Sequence, residues 1–203
     1  MPQDNIIFAA SFWRTNAQLI EDCVKLGYLD KGKSTLDPTY GRGKWWTNWQ
    51  PDNFTYHDLK IDQVDFTNLP YEDNTFEQIC FDPPYVCIGG RTTSGPNQKT
   101  MYEGFGLDVA PRTPQGVQDL IDRGLTECYR VLKPKSYILV KCQDYNYGSK
   151  FRAGTYWTIN HAFSLGLTLK DRMEHLSYGR PQPERGPQRS ARRNLSTLLI
   201  FCK

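Results

Sequence analysis

No apolar run in the 203-residue chain approaches the roughly 20 residues of a membrane span. The N-terminus has no charged segment followed by an apolar core, which argues against a secretory leader. A soluble, cytoplasmic protein is therefore expected. The six cysteines (Cys23, Cys80, Cys87, Cys128, Cys142, Cys202) form no C-x-x-C pair, and the three histidines do not cluster. That argues against a zinc site and leaves no metal expected. Several of these cysteines lie within apolar runs and read as reduced core thiols. The net charge of +3 is too small to indicate a polyanion partner by itself, so the distribution of charge matters more. There is no internal repeat. There is also no Walker A loop: Lys44 is followed by Trp45 rather than Ser or Thr, and the preceding glycine spacing is wrong.

The composition, 38% hydrophobic and 23% charged, is that of a globular chain. Its length suits one well-buried domain over 1–203. Apolar residues at three- and four-residue steps predict a helix from about Phe12 to Leu26, capped by Ser11 or Thr15 and stopped by Gly27. A short strand at Ser34–Asp37 follows, then a glycine loop, a second strand around Phe54–Leu59 and a third at Val64–Phe66. Thr113 caps a helix with Pro114 at its first position, and Val131–Pro134 ends it. Ser136–Cys142 is a clear strand. A helix over about Ala153–Leu165, a strand over Leu167–Leu176 and a last strand at Ser196–Phe201 complete the series. Alternating strands and helices predict an α/β class with a mostly parallel sheet. The final two strands are joined by a loop alone and are expected to pair antiparallel.

The stretch Gln78-Ile79-Cys80-Phe81-Asp82-Pro83-Pro84-Tyr85 stands out. An apolar run reads as a strand buried on both faces. Pro83 and Pro84 have no N–H to give a ladder, so the strand stops at Asp82. A carboxylate, two rigid carbonyls and a ring are thereby left at a sheet edge, where open α/β sheets bind ligands. The bland alternative is a Pro-Pro turn with a turn acid and a packing tyrosine. In the earlier loop, Gly41 and Gly43 let the backbone turn tightly beside a ligand, or serve an ordinary turn. Asp58 follows that loop at nearly the distance at which an acid commonly holds a ribose hydroxyl, or it is a solvated strand-end acid. His57 reads as a surface or satisfied histidine.

Two further segments resist assignment to elements. Val86–Thr113 is punctuated by glycine and proline with Arg91 and Lys99 between them, and its length suits a lid or substrate-contacting loop, with a disordered segment as the alternative. Tyr178–Asn194 carries Arg180, Arg185, Arg189, Arg192 and Arg193 against a single acid, Glu184. Guanidinium groups pair bidentately with phosphates, so this is a candidate nucleic-acid contact, with a solvated basic hairpin tip as the alternative.

Leu36-Asp37-Pro38-Thr39-Tyr40-Gly41-Arg42-Gly43 followed by Asp82-Pro83-Pro84-Tyr85 resembles the Rossmann-like S-adenosylmethionine-dependent methyltransferases that modify exocyclic amino groups of nucleic-acid bases, the DPPY-type N6-adenine and N4-cytosine DNA enzymes. Asn68–Phe76 is similar to that superfamily's link into its fourth strand, and Tyr129–Pro134 to its approach to the fifth. The loop opens on Asp37-Pro38 where many members have Phe-x-Gly, and no separate target-recognition domain is expected within 1–203. The resemblance implies a seven-stranded, mostly parallel sheet with an antiparallel last strand. It implies S-adenosylmethionine as cofactor, held by Asp37, Pro38, Tyr40, Gly41 and Gly43 along the loop, by Asp58 at the ribose, and by Asp65 or Phe66 at the adenine. It implies a nucleic-acid partner, DNA favoured over RNA, with adenine N6 the favoured acceptor. Asp82 and the Pro83 carbonyl would receive the amine, Pro84 would stiffen the turn, and Tyr85 would stack on the extruded base. An RNA base amino-methyltransferase (guanine N2 or adenine N6) and a non-catalytic nucleic-acid-binding subunit are the alternatives.

Overall fold

The computed structural model describes residues 6–85, 87, 111, 113–148, 150–177, 191 and 193–203. Nine strands and three helices occur among them. They are β1 (Ala10–Ser11), α1 (Asn16–Lys25), β2 (Thr35–Asp37), β3 (Phe54–Tyr56), β4 (Phe76–Phe81), α2 (Pro114–Val131), β5 (Leu132–Cys142), β6 (Tyr145–Tyr147), β7 (Lys150–Arg152), α3 (Gly154–Ser164), β8 (Thr168–Leu176) and β9 (Leu195–Cys202). Seven strands form one sheet in the order β1-β8-β9-β5-β4-β2-β3, and β6 and β7 form a separate hairpin. Within the large sheet β9 runs antiparallel to β5 and β8, and every other pairing is parallel.

The pleat of the central strands explains the two apolar layers. Side chains alternate across a sheet with period two. Ile79 and Phe81 of β4, Ile138 and Val140 of β5, and Leu199 and Phe201 of β9 point to one face, where Leu125, Cys128 and Val131 of α2 and Ala162 of α3 cover them. Cys80, Leu139, Leu198 and Ile200 point to the other, where Leu19, Ile20 and Cys23 of α1 lie with Trp45 and Trp46. Completely buried side chains such as Phe81 and Phe201 each contribute about 1.5–3 kcal/mol relative to exposure.

Local signals act where the sequence places them. The Thr15 hydroxyl accepts from the Gln18 N–H at 3.4 Å at the start of α1, and Gly27, at φ +78°, terminates it. Thr113 caps α2 through the Gly116 N–H at 3.0 Å, with Pro114 in the first turn. Arg130 near the end of α2 donates to the carbonyls of Leu69 and Tyr71, which ties down the turn leading into β4.

One expected element is absent and another takes its place. Val64–Phe66 forms no strand. The Asp65 carboxylate accepts the Thr67 N–H at 2.8 Å and the Asp65 carbonyl accepts the Asn68 N–H at 2.9 Å, so local turn bonds win over a ladder there. The seventh strand is instead Ala10–Ser11, at the opposite edge against β8. The crossover from β2 to β3 contains no helix; a loop carrying Trp45, Trp46 and Trp49 covers the sheet in its stead.

Close packing on the α2 side yields a stability prediction. A Cβ at Gly124 would stand 2.6 Å from ring carbons of both Phe66 and Phe81. Overpacking costs about 1–3 kcal/mol, against the ~1 kcal/mol that alanine gains over glycine within a helix. Gly124→Ala is therefore expected to destabilise the fold by about 1 kcal/mol, lowering Tm by about 2–4 °C in a thermal melt.

Candidate functional site

At the C-terminal edge of the parallel strands, the ends of β2 and β4 are hooked together. The Asp82 N–H donates to the Thr39 hydroxyl at 2.8 Å, and that hydroxyl donates to the Asp37 carboxylate at 3.2 Å. Asp37 is 4% exposed and also accepts from the Thr39 N–H at 2.9 Å and the Trp46 indole N–H at 2.6 Å. Burial pushes its pKa up to about 7 against those donors, and the nearby Asp82 adds to the rise. Asp37 thus acts as the anchor of the loop that begins with Pro38.

The loop turns back through Gly41 and Gly43, at φ +56° and +65°. A side chain at Gly43 would be strained by that φ and would also collide with the Tyr40 ring. Tyr40 stacks on Tyr56, ring centroids 4.1 Å apart, which holds the loop against β3. The Asp58 carboxylate accepts the Gly41 N–H at 3.2 Å and the Lys60 N–H at 2.9 Å. Each oxygen keeps a lone pair that a hydroxyl could use. His57 bonds through its two ring nitrogens to Asp62 and the Tyr71 hydroxyl, so it is a satisfied histidine bracing the segment that carries Asp58.

A cleft of about 360 Å³ opens between these parts, lined by Pro38, Thr39, Asp58, Leu59, Phe66, Asp82 and Pro84. Residues from β2, β3 and β4 ends, separated widely in sequence, meet there. Phe66 reaches it while packing edge-on against Phe81 at 5.4 Å. Asp65 is exposed and lies in its own turn, outside the lining. Pro83, between two lining residues, is itself buried and outside the lining. Tyr85 lies elsewhere, in a smaller hollow of about 210 Å³ with Val117, Ile121, Tyr145 and Trp157 among its neighbours. Burial raises its pKa, and the charge of Asp82 adds to the effect. Of the basic residues proposed from the sequence, Arg91, Lys99, Arg180, Arg185, Arg189 and Arg192 lie outside the described residues, as do most of the segments Val86–Thr113 and Tyr178–Asn194. Arg193 is described, with its guanidinium 4.8 Å from the centroid of the Phe151 ring.

Asp82 is half-buried: it borders the cleft, yet its Oδ1 is sealed from solvent and has no hydrogen-bond partner. An unpaired buried acceptor is costly, so the sequence spends stability here. The neighbour that offsets the cost is Lys141, which sequence reasoning treated only as part of a strand. Phe81 and Val140 are register partners in the parallel β4–β5 ladder, so the next residues, Asp82 and Lys141, stand side by side. The pleat points both towards the layer holding Trp45. Lys141 is 3% exposed; its ammonium donates to the Asn16 side chain and lies 5.7 Å from the Trp45 ring centroid. Burial raises the Asp82 pKa, and the Lys141 charge opposes that rise. Burial likewise lowers the Lys141 pKa, and Asp82 opposes that fall. The Trp45 indole N–H also pulls the Asp82 pKa down, although Trp45 Nε1 and Asp82 Oδ1 do not meet within hydrogen-bonding geometry. A charged residue inside the apolar run Ile138–Cys142 was the available signal; its partner was not readable without the register.

Among the described residues no group of three or more His, Cys, Asp or Glu side chains could hold a metal ion, and no helix is long and apolar enough to cross a membrane. No protein-family model matches the chain, and no curated protein matches it in sequence. Solved structures match it in shape. The cyclase SpnF is similar over 97% of this chain and 85% of its own, with a TM-score of 0.58 and 14% identity. A methyltransferase from Thermotoga maritima, a candidate histamine N-methyltransferase dependent on S-adenosylmethionine, is similar over 95% of this chain and 90% of its own, at 0.50 and 12%. A candidate DNA modification methylase from Thermus thermophilus is similar over 69% of this chain, at 0.47 and 12% identity. The matched part spans about half, 52%, of that longer chain. The fold is the Rossmann-like fold of class I methyltransferases. A cyclase and a methyltransferase share it, so the reaction must be argued from the site.

Proposed function

We propose that the protein transfers a methyl group from S-adenosylmethionine to an exocyclic amino group of a nucleic-acid base, with adenine N6 in DNA the favoured acceptor. The observation that carries this reading is Asp82 itself, held at the edge of a cleft that also contains Pro84 by the Thr39 hydroxyl on its backbone and by the neighbouring Lys141. A base amine has two N–H bonds and a lone pair delocalised into its ring. An acceptor aimed at an N–H draws the nitrogen towards a geometry in which the lone pair is free to attack. The chain supplies such acceptors in the Asp82 carboxylate and the Pro83 carbonyl, whose direction the proline ring fixes.

The residues around the cleft fit the cofactor. Asp58 retains acceptor capacity for ribose hydroxyls, Phe66 offers a ring for an adenine, and Pro38 and Thr39 bring the start of the glycine loop to the cleft wall. When bound, the cofactor supplies an electrophilic methyl group on a sulfonium. The chain's part is positioning and electrostatics, and alignment alone can remove on the order of 7–11 kcal/mol from a bimolecular barrier. Asp82 need not be a strong base, because the amine proton becomes acidic once the nitrogen carries the new methyl. Lys141 serves by keeping Asp82 an anion, and the Thr39 hydroxyl by fixing its backbone. Tyr85, next along the chain, is the candidate stacking ring for an extruded base.

Nucleoside mass analysis of DNA and RNA from cells expressing the protein is the direct test. N6-methyladenine in DNA above the vector control is the expected result. Folded protein that binds S-adenosylmethionine but methylates no base in either nucleic acid would defeat the reading. Methylation confined to RNA would keep the chemistry and change the acceptor.

A further inference from the structure

β3 ends at Tyr56, and the chain turns away from the sheet within the next few residues. His57 stays tied to the sheet edge by its backbone: its N–H donates to the Asp37 carbonyl at 2.9 Å, and its carbonyl accepts the Tyr40 N–H at 3.0 Å. In the turn that follows, the Ile61 and Asp62 N–H groups donate to the Asp58 carbonyl at 2.9 and 3.1 Å. Gln63 then takes φ +62°, a region that residues other than glycine rarely adopt. Little apolar burial holds this turn. Leu59 is 37% and Ile61 50% exposed, and Lys60 and Gln63 face solvent. A turn with few buried contacts lies at the low-stability end of a fold unless polar bonds fix it.

Asp62 supplies such bonds. Its Oδ1 accepts the Asp58 N–H and the Val64 N–H, each at 3.3 Å, and its Oδ2 bonds His57 Nδ1. One carboxylate thus ties both ends of the turn to the histidine before it. Burial works to raise the Asp62 pKa, but the bond from His57 and the two backbone bonds outweigh it and hold the group below the usual carboxylate value. An ionised Asp62 only accepts, which assigns the proton to His57 Nδ1 and leaves Nε2 to accept from the Tyr71 hydroxyl. Burial and the Asp62 charge raise the Tyr71 pKa, so that hydroxyl keeps a proton to give. Tyr71 is fixed in turn: its ring packs edge-on against Phe76 at 4.8 Å, and its carbonyl accepts from Arg130 at 2.6 Å. A continuous path therefore runs from α2 through Tyr71, His57 and Asp62 to the backbone of Asp58, which lines the cleft.

We propose that His57 is a positioning residue for the cofactor: acting through Asp62, it holds Asp58 where the carboxylate meets the ribose hydroxyls of S-adenosylmethionine. The Asp58 carboxylate takes its own orientation from two backbone donors, Gly41 at 3.2 Å and Lys60 at 2.9 Å. Lys60 belongs to the exposed turn that Asp62 closes. Releasing Asp62 from His57 would loosen that turn, and a hydrogen bond to a ribose hydroxyl weakens steeply as its geometry departs from linear. The Phe66 ring and the Asp37 carboxylate are held by contacts that do not involve the His57 ring, so the effect falls on the ribose and not on the rest of the cofactor. This role rests on the reading of Asp58 as the ribose acid.

Calorimetry of the full chain with S-adenosylhomocysteine, the stable demethylated form of the cofactor, and with its 2′-deoxy and 3′-deoxy analogues tests it. The quantity read is the affinity ratio of the parent to the weaker-binding analogue. Wild type is expected to give a ratio of about ten or more, the scale of one hydrogen bond to a charged acceptor, and Asp58→Ala a ratio near one. His57→Phe, which keeps a ring and removes both nitrogens, is expected to bring the ratio below about three. His57→Asn, whose amide can stand where Nδ1 stands, is expected to keep it within about twofold of wild type. Should His57→Phe fail to fold in a thermal melt, His57→Gln, whose amide reaches the Nε2 position instead, takes its place. An unchanged ratio in that variant, whether or not all three ligands bind more weakly, would overturn the role of His57 and leave Asp58 at the ribose. A wild type that binds parent and analogues alike, or an Asp58→Ala protein that still discriminates among them, would remove Asp58 from the ribose and His57 with it. Binding is read apart from transfer, so these outcomes are independent of the methyl acceptor.

Discussion

Asp82→Ala is expected to reduce methyl transfer at least about 10³-fold while changing S-adenosylmethionine binding less than threefold. The size follows from what the residue does. Removing one preorganised group aimed at a reacting centre typically costs 10²–10³ in turnover, and loss of a proton acceptor contributes comparably. Binding should survive because the loop from Asp37 to Gly43 is anchored through Asp37, Thr39 and Tyr40, not through the Asp82 carboxylate. The Thr39 hydroxyl holds the backbone N–H of residue 82, which alanine retains. Labelled-methyl transfer paired with calorimetry separates the two quantities. Full activity in Asp82→Ala would remove the residue from the mechanism, and loss of binding in step with activity would make its role structural.

The second large effect is expected from Lys141→Met. The ionised Asp82 carboxylate is the stronger acceptor and the form that can take up the amine proton, so activity falls as pH drops through its pKa. Burial raises that pKa and Lys141 lowers it. Deleting the cation therefore moves the acidic limb of the kcat profile to higher pH. At neutral pH the loss is expected to be on the order of tenfold, and raising the pH should recover most of it. Other titratable groups face the pair: Asp37 from β2, Tyr85 and Cys80 on the Asp82 side, and Cys142 and His175 on the Lys141 side. They are present in both proteins, so the difference between the two profiles belongs to Lys141. An unshifted limb would mean that Lys141 only fills space. Stability gives a separate reading. Removing one member of a buried pair leaves the other charge uncompensated. Lys141→Met should therefore lower Tm, and Asp82→Asn added to it should restore part of the loss.

The two predictions differ in how far the sequence could have led to them. Asp82 is legible because two prolines end an apolar strand immediately after an acid, and local covalent chemistry leaves few other outcomes. The same is true of Thr15, Gly27, Thr113 and Pro114 at helix ends, where backbone donors and a positive φ act within a few residues. The alternating apolar residues of β4, β5 and β9 likewise assign themselves to opposite faces, because strand side chains must alternate. Val64–Phe66 shows the limit of such reading. Its apolar and aromatic residues suit a strand, but Asp65 can close a turn on Thr67, and that choice depends on whether a neighbouring strand is present to compete. The hairpin shows a different limit. Tyr-Asn-Tyr and Lys-Phe-Arg on either side of Gly148-Ser149 carry a turn signal, but three-residue strands provide too little periodicity to stand out.

Within the site, Pro38, Asp58, Asp82 and Pro84 reach one cleft from three strand ends, because parallel strands present their C-terminal ends at one edge, and Phe66 joins them from the turn segment between β3 and β4. Asp65, adjacent to Phe66, does not, because its side chain is spent on a local turn. Sequence alone determined both long central strands, the three helices, the α/β class, the antiparallel last strand and the acid at the end of β4, all of which follow from patterning along the chain. Tertiary structure alone decided that Ala10–Ser11 completes the sheet, that Tyr85 packs beside the hairpin, and that Lys141 stands next to Asp82. Those facts depend on register between strands, and register is set by the packing of the whole sheet.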